Sequence, residues 1–363
     1  MKFSVEKDIL LSGIQTVQNV ISPKAALPIL SNILIESQGG TLRLTATDLD
    51  IGISCVIPVD TQEAGSITIP AKRFGDIIRE LPLNEVSLNT KKNDLVVIET
   101  KSCQFKIMGL SKDEFPRLPE FKDKEVIKIE QDVLKEMLSL TSFAVSFDET
   151  RYILNGILFA IKKNKLTLVA TDGKRLAIIE KDIKQSIDKD FTMIVPIKTI
   201  QELNRNLKEE GTLSLLLGSN QVMFDLGKAV IISRLIEGEF PDYHQVIPLV
   251  SDARIKVDRE EFLLAVKRAS LLSTPDYQAV KLEIFKDKMV ISKSTPDIGE
   301  SREEVSVEYK GKELVIGFNP VYLIDVLKNL TSDQVEFELT DSEKPGVFRV
   351  DGYVYIVLPM RLG

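Results

Sequence analysis

One amphipathic pattern occurs three times along this chain. In 69–81 apolar residues stand at Phe74, Ile77, Ile78 and Leu81; in 195–207 at Ile200, Leu203 and Leu207; in 318–330 at Leu323, Val326, Leu327 and Leu330. Spacings of i, i+3, i+4 and i+7 gather such side chains on one helical face. The copies end at Leu81, Leu207 and Leu330, 126 and then 123 positions apart. Alternating patterns keep the same beat. Leu42, Leu44 and Ala46 alternate with Arg43, Thr45 and Thr47, as in a half-buried antiparallel strand, and 42–48 returns at 166–172 and, degraded, at 289–295. Segments 3–10, 127–134 and 255–262 correspond in the same way, as do 105–110, 230–235 and 355–360. Four landmarks in one order, three times, predict three copies of one domain.

Each copy reads strand, helix, strands, helix, strands. The patterns predict helices over 7–20, 71–80, 131–143, 197–208, 259–271 and 320–329. Val354, Ile356 and Leu358 alternate with Tyr353, Tyr355 and Val357 as one late strand, and Gly39-Gly40, Asn93-Asp94, Asn164-Lys165 and 286–288 mark hairpin turns. Two helices on one face of an antiparallel sheet make an α+β layer. Segments 111–124 and 236–251, rich in Pro and charge, read as linkers, which gives domains at 1–122, 123–250 and 251–363.

Length and composition agree: 363 residues accommodate three domains of ordinary size, and 44% hydrophobic with 28% charged residues suits a globular chain with a core. No apolar run reaches the roughly 18 residues of a membrane span. Charges occupy the N-terminus where a signal peptide needs an apolar stretch, so a cytoplasmic protein is expected. Cys55 and Cys103 suggest neither a disulfide framework nor a zinc site.

Catalytic signals are missing. His244 is the only histidine; there is no phosphate-binding glycine loop, no dinucleotide fingerprint and no nucleophile elbow. Gly173-Lys174-Arg175 reads as a turn, since one glycine cannot build an anion nest. No enzyme, cofactor or metal is expected. The net charge of −7 argues against nucleic acid, yet the repeated helices collect cations at Lys72, Arg73, Arg79, Lys198, Arg205, Lys208, Arg259, Lys267, Arg268 and Lys328. Repeats and missing active site alone also leave open a triplicated scaffold that binds a protein or small ligand.

Particular motifs narrow this. Leu27-Pro28-Ile29-Leu30-Ser31-Asn32, Pro70-Ala71-Lys72-Arg73-Phe74, Arg151-Tyr152, Leu154-Asn155-Gly156, 170–177, Phe240-Pro241-Asp242-Tyr243, Gly317-Phe318-Asn319 and the tail 358–362 occur in one order across the chain. Over its whole length the sequence resembles the bacterial DNA polymerase III beta subunits, the replicative sliding clamps. The resemblance implies a head-to-tail homodimer closing six domains into a ring, with helices lining the hole and sheets outside. Encircled duplex DNA would be held without sequence readout by Lys24, Lys72, Arg73, Arg151, Tyr152 and Lys198.

It also implies a cleft for short peptides of the polymerase III alpha subunit, the clamp-loader complex, other polymerases and repair factors. That cleft maps onto Leu154, Thr171, Gly173, Lys174, Arg175, Leu176, Pro241, Val246, Asn319, Tyr322, Val357, Leu358, Pro359, Met360, Arg361 and Leu362, with Thr171 and Arg175 as polar contacts that fix register. At the dimer seam, Phe105 and Ile107 would meet Leu271 and Leu272, with Glu300 and Glu303 among the acids facing Lys72 or Arg73. No membrane partner is implied, and the protein would join the nucleoid when loaded. Departures from the family's usual residues are Lys174, Gln245 and an extra Gly363.

Overall fold

The computed structural model describes residues 1–21, 27–82, 85–121, 125–248 and 253–362, so Lys24 and Gly363 lie outside the described residues. Among the described residues six α-helices form at the amphipathic segments: α1 (Lys7–Gln18), α2 (Ala71–Glu80), α3 (Gln131–Thr141), α4 (Ile197–Asn206), α5 (Arg259–Ser270) and α6 (Pro320–Asn329). The residues group into two compact units, 1–135 with 198–235, and 136–197 with 236–363.

The first unit holds a five-stranded sheet, in the order Asp60–Glu63, Lys2–Glu6, Glu85–Thr90, Leu95–Glu99, Gln104–Met108. Its second sheet has eight strands: Val126–Glu130, Thr212–Leu217, Gln221–Asp225, Ala229–Arg234, Ile51–Pro58, Thr41–Thr47, Asn32–Gln38 and Gly65–Pro70. Helix α1 buries Leu10, Ile14 and Val17, and α2 buries Phe74 and Ile78, each worth roughly 1.5–3 kcal/mol of removed apolar surface. Gly13 lets α1 lie against the sheet; a Cβ there would stand 2.7 Å from Leu44 Cδ1.

The second unit is built on one twelve-stranded sheet: Phe191–Pro196, Gly156–Lys162, Lys165–Thr171, Arg175–Asp182, Tyr353–Val357, Gly346–Val350, Gln334–Glu338, Arg254–Asp258, Gly299–Tyr309, Lys288–Thr295, Val280–Ile284 and Leu314–Phe318. Helices α5 and α6 pack on each other, over a core in which Phe337 stacks on Phe348 with centroids 4.3 Å apart. Asp258 caps α5 by accepting from the Glu261 N–H (2.8 Å), and Asn319 caps α6, with Pro320 in its first turn.

Both larger sheets cross repeat boundaries. Ala229–Ser233 pairs with Ile51–Cys55 in the first unit, and Arg175–Ile179 pairs with Tyr353–Val357 in the second. Antiparallel pairing covers strand edges that would otherwise leave backbone groups bare. The compact units therefore divide the central repeat, each taking one of its half-sheets.

At both joins the chain enters the paired strand through the same turn. Thr47 donates its hydroxyl to the Ile51 carbonyl (2.9 Å), and Asp48 Oδ1 accepts from the Asp50 and Ile51 N–H groups (3.1 and 2.9 Å). Thr171 likewise donates to the Arg175 carbonyl (2.6 Å), and Asp172 Oδ1 accepts from the Lys174 and Arg175 N–H groups (2.9 and 3.0 Å). The third residue sits at positive φ in each, +86° for Gly173 and 81° for Leu49.

Three sequence expectations change. In the strand over 353–357, Tyr353, Tyr355 and Val357 form the fully buried set, while Ile356 joins a second apolar cluster, because this central strand is covered on both faces. The turn expected at Asn164-Lys165 falls one residue earlier, at Lys163-Asn164, with Lys163 at positive φ (55°). The linkers are packed: Phe115 is buried with Ile29 and Leu30, and Phe240, Tyr243 and Ile247 pack on a core cluster.

A left-handed backbone costs an ordinary residue roughly 1–2 kcal/mol, partly offset by the chain entropy of a glycine in the unfolded state. Leu49→Gly is therefore expected to hold or raise stability, by up to about 1 kcal/mol. Asp48→Ala, which strips two backbone N–H groups of their acceptor, should cost about 2 kcal/mol. Urea unfolding followed by circular dichroism compares them; a loss as large for Leu49→Gly would refute the turn strain.

Candidate functional site

The Thr171–Arg175 turn opens onto a cleft of about 410 Å³ in the second unit. Its floor comes from the sheet, as Leu176 and Ile356; Leu154 enters from the short helix Glu149–Leu154. The opposite wall is the segment Phe240–Tyr243 with Val246, which Asp242 organises by accepting from the His244 N–H (3.1 Å). Leu358 is held at the rim because its N–H donates to the Lys174 carbonyl (2.9 Å). Val246 is 56% exposed and Leu358 43% exposed, so apolar surface faces solvent here without a partner.

Beneath the rim lies a buried charge. Arg175 Nε donates to Asp172 Oδ2 (3.0 Å), Nη1 to Asp325 Oδ2 (2.6 Å) and Nη2 to the Phe143 carbonyl (2.5 Å). Its guanidinium lies over the rings of Tyr322 (4.5 Å) and Phe143 (5.7 Å). Burial disfavours the cation, but Tyr355, Asp325 and Asp172 outweigh that and hold its pKa above the ordinary arginine value. Burial raises the Tyr322 phenol, and Tyr243 is raised by burial and then by Glu180 and Asp242.

The cleft brings together Leu154, Thr171, Gly173, Lys174, Arg175, Leu176, Pro241, Val246 and Leu358 from the sequence expectation. It adds Phe240, Asp242, Tyr243, Pro345 and Ile356. Phe240 and Tyr243 stand in the sequence as parts of a linker and of the Phe240-Pro241-Asp242-Tyr243 motif, of which only Pro241 is assigned to the cleft there, and Pro345 carries no local signal. Val357 is fully buried and does not line the cleft. Tyr322 lies under Arg175, and Asn319 reaches Gln278 (3.5 Å). Pro359 is half-buried, while Met360, Arg361 and Leu362 line a second cavity of about 830 Å³ with Tyr277, Lys281, Lys293 and Arg302. The tail is pinned there by the Met360 N–H, which donates to the Gly317 carbonyl (2.8 Å).

The basic candidates fall into different settings. Lys72 and Arg73 stand exposed on α2, and Arg151 and Tyr152 are exposed in the second unit. Lys198 is engaged instead: its ammonium donates to the Asp48 carboxylate and to the Val20 carbonyl (3.1 Å). Of the seam candidates, Phe105 is 38% exposed on the outer strand of the five-stranded sheet, beside Ile107 and an exposed Met108 that the sequence reading passed over. Leu271 is 80% exposed, with Leu272 half-buried beside it. Glu300 accepts from Ser294, and Glu303 takes a two-pronged bond from Arg268 (2.7 and 2.6 Å), so that acid has a partner in its own chain.

Comparison with known proteins fits all three repeats. Models of the N-terminal, central and C-terminal domains of the DNA polymerase III beta subunit match residues 1–119, 128–242 and 244–361. The beta sliding clamp of Chlamydia muridarum is 33% identical over 365 residues, covering 100% of this chain and 99% of that protein. That of Pseudomonas aeruginosa is 34% identical over 368 residues, covering 100% of both. Among solved structures, the DNA polymerase sliding clamp of Bacillus subtilis superposes with a TM-score of 0.95 at 32% identity, covering 100% of both chains. A sliding clamp of Pseudomonas aeruginosa bound to griselimycin gives 0.95 at 33%, again covering 100% of both. With three domain models in register, this fold and matches along its full length, the chain belongs to the DNA polymerase III beta subunit family, the beta sliding clamps.

Proposed function

We propose that two copies of this chain close head to tail into a ring around duplex DNA and tether replication proteins through the cleft at Leu154, Leu176, Val246 and Leu358. The observation that carries the tethering is the solvent-facing apolar cleft of about 410 Å³, bounded by a hydrogen-bonded turn and by the wall Phe240–Tyr243 with Val246. A groove of this kind takes two or three apolar anchors of an extended peptide, while a few polar groups fix its register. The partners of that cleft are the polymerase III alpha subunit, the clamp loader, and other polymerases and repair factors carrying such peptides. The protein is a non-catalytic processivity factor, cytoplasmic and joined to the nucleoid when loaded.

Encirclement reconciles an acidic chain with DNA. Topology prevents escape, so a modest set of cations, Lys72, Arg73 and Arg151, beside the exposed neutral ring of Tyr152, suffices to compensate phosphates while the ring slides. Clamp loaded on nicked circular DNA should stay bound and leave when the circle is linearised. Direct binding to short duplexes should be weak, fall steeply with salt and vary less than tenfold with sequence; retention on linear DNA with free ends would contradict the ring.

The dimer joins the outer strand Gln104–Met108 of one copy to the third repeat of the other, with Phe105 and Ile107 meeting Leu271 and Leu272. Leu271 is too exposed to support its own fold, so Leu271→Ala with Leu272→Ala should give folded monomers, each anchor costing about 2 kcal/mol at a packed interface. Light scattering that still reports dimers would move the seam elsewhere.

A peptide with one glutamine and two or three apolar anchors should bind the cleft with micromolar affinity, roughly −8 kcal/mol. Val246→Glu, a change at an exposed position, should weaken it more than tenfold with folding intact, and removal of 359–363 should weaken it too. Fluorescence anisotropy reads both; unchanged affinity in Val246→Glu would place docking at another surface.

A further inference from the structure

We propose that Arg175 and Asp325 are positioning residues of the cleft, which hold its rim in the binding shape by fastening the turn to α6 and not by a polar contact with the peptide. The inference rests on the cleft reading above and deepens it.

Arg175 has little left to offer a ligand. Three of its five N–H donors are committed, to Asp172, Asp325 and the Phe143 carbonyl, and aromatic rings lie against the guanidinium. Its side chain is 8% exposed. The contacts instead connect three elements. Asp172 belongs to the turn that presents Gly173 and Lys174, Phe143 to the short helix Ser142–Ala144, and Asp325 and Tyr322 to α6. Tyr355 adds a further link by donating its hydroxyl to the Tyr322 carbonyl (2.9 Å).

The first join repeats this lock with other residues. There Asp48, the counterpart of Asp172, is held by Lys198 of α4, the helix that corresponds to α6 in the repeat pattern. A carboxylate in the turn, a cation, and the helix of the following repeat are common to both joins. Only the second combines them with the open apolar cleft described above. The shared element is thus the fastening of turn to helix; Lys174 and Arg175 both line the cleft, and of the two Lys174 is the exposed cation.

The test uses a fluorescein-labelled peptide with a glutamine and apolar anchors, and its Gln→Ala analogue, titrated against the full-length protein. Asp325→Asn should weaken both peptides about tenfold and equally within twofold, because a distorted rim serves every peptide less well. Asp325→Glu, which restores the carboxylate, should recover most of the loss. Arg175→Lys should give the same uniform loss, and serves alone if Asp325→Asn does not fold. A loss that disappears for the Gln→Ala peptide would show a direct contact and overturn the proposal, as would unchanged affinity in Asp325→Asn. If Val246→Glu abolishes binding while Asp325→Asn does not weaken it, only the positioning role fails. If wild type binds neither peptide, or Val246→Glu binds like wild type, the cleft reading falls and this inference with it.

Discussion

Antiparallel pairing across the repeat boundaries is the constraint on which the rest of this structure depends. A single repeat ends in open strand edges, and an open edge exposes unpaired N–H and C=O groups. Ala229–Ser233 covers Ile51–Cys55, and Tyr353–Val357 covers Arg175–Ile179. Because the Thr-Asp turns lie immediately before Ile51 and Arg175, each pairing also fixes a turn beside a repeat boundary. The cleft is a by-product of that geometry: Leu358 follows directly from the pairing strand and is tied to Lys174 by one backbone hydrogen bond.

The two joins differ in what lies over the sheet. At the first, a Cβ on Gly52 would stand 2.4 Å from Leu118 Cδ2, so the chain's own linker covers that strand. At the second, the corresponding position is Leu176, and the segment Phe240–Val246 stands to the side as a wall. One architecture thus yields a self-covered surface in one place and an open apolar groove in another. The choice turns on a glycine against a leucine in the strand and on how the following linker packs.

Charge is handled with the same economy. Arg175 and Lys198 each neutralise a turn carboxylate, which leaves the exposed cations of α2 and Arg151 of the short helix Glu149–Leu154 for the proposed contact with phosphates. A buried ion pair with one member removed leaves an uncompensated charge and costs several kcal/mol. The Arg175 lock, whose side chain is 8% exposed, is therefore costly to break, the Lys198–Asp48 pair with its 42% exposed lysine less so, and surface cations such as Lys72 can change with little effect on the fold.

The threefold repeat, the six helices within a residue or two of their ends, and the antiparallel α+β class were all legible in the sequence. They follow from local periodicity, which a folded core must satisfy whatever the packing between elements. Much of the cleft was legible as well, because Leu154, 171–176 and Pro241 lie in short motifs. Three things were decided only by tertiary structure: that the linker at 240–247 becomes a wall, that Val357 turns into the core while Ile356 and Leu358 face out, and that Arg175 is spent on Asp325, 150 positions away. Each depends on which side of a strand is covered and on what arrives from a distant part of the chain. Period-2 alternation cannot report this where both faces of a strand are apolar, and charge pairing over such a separation leaves no trace in local spacing.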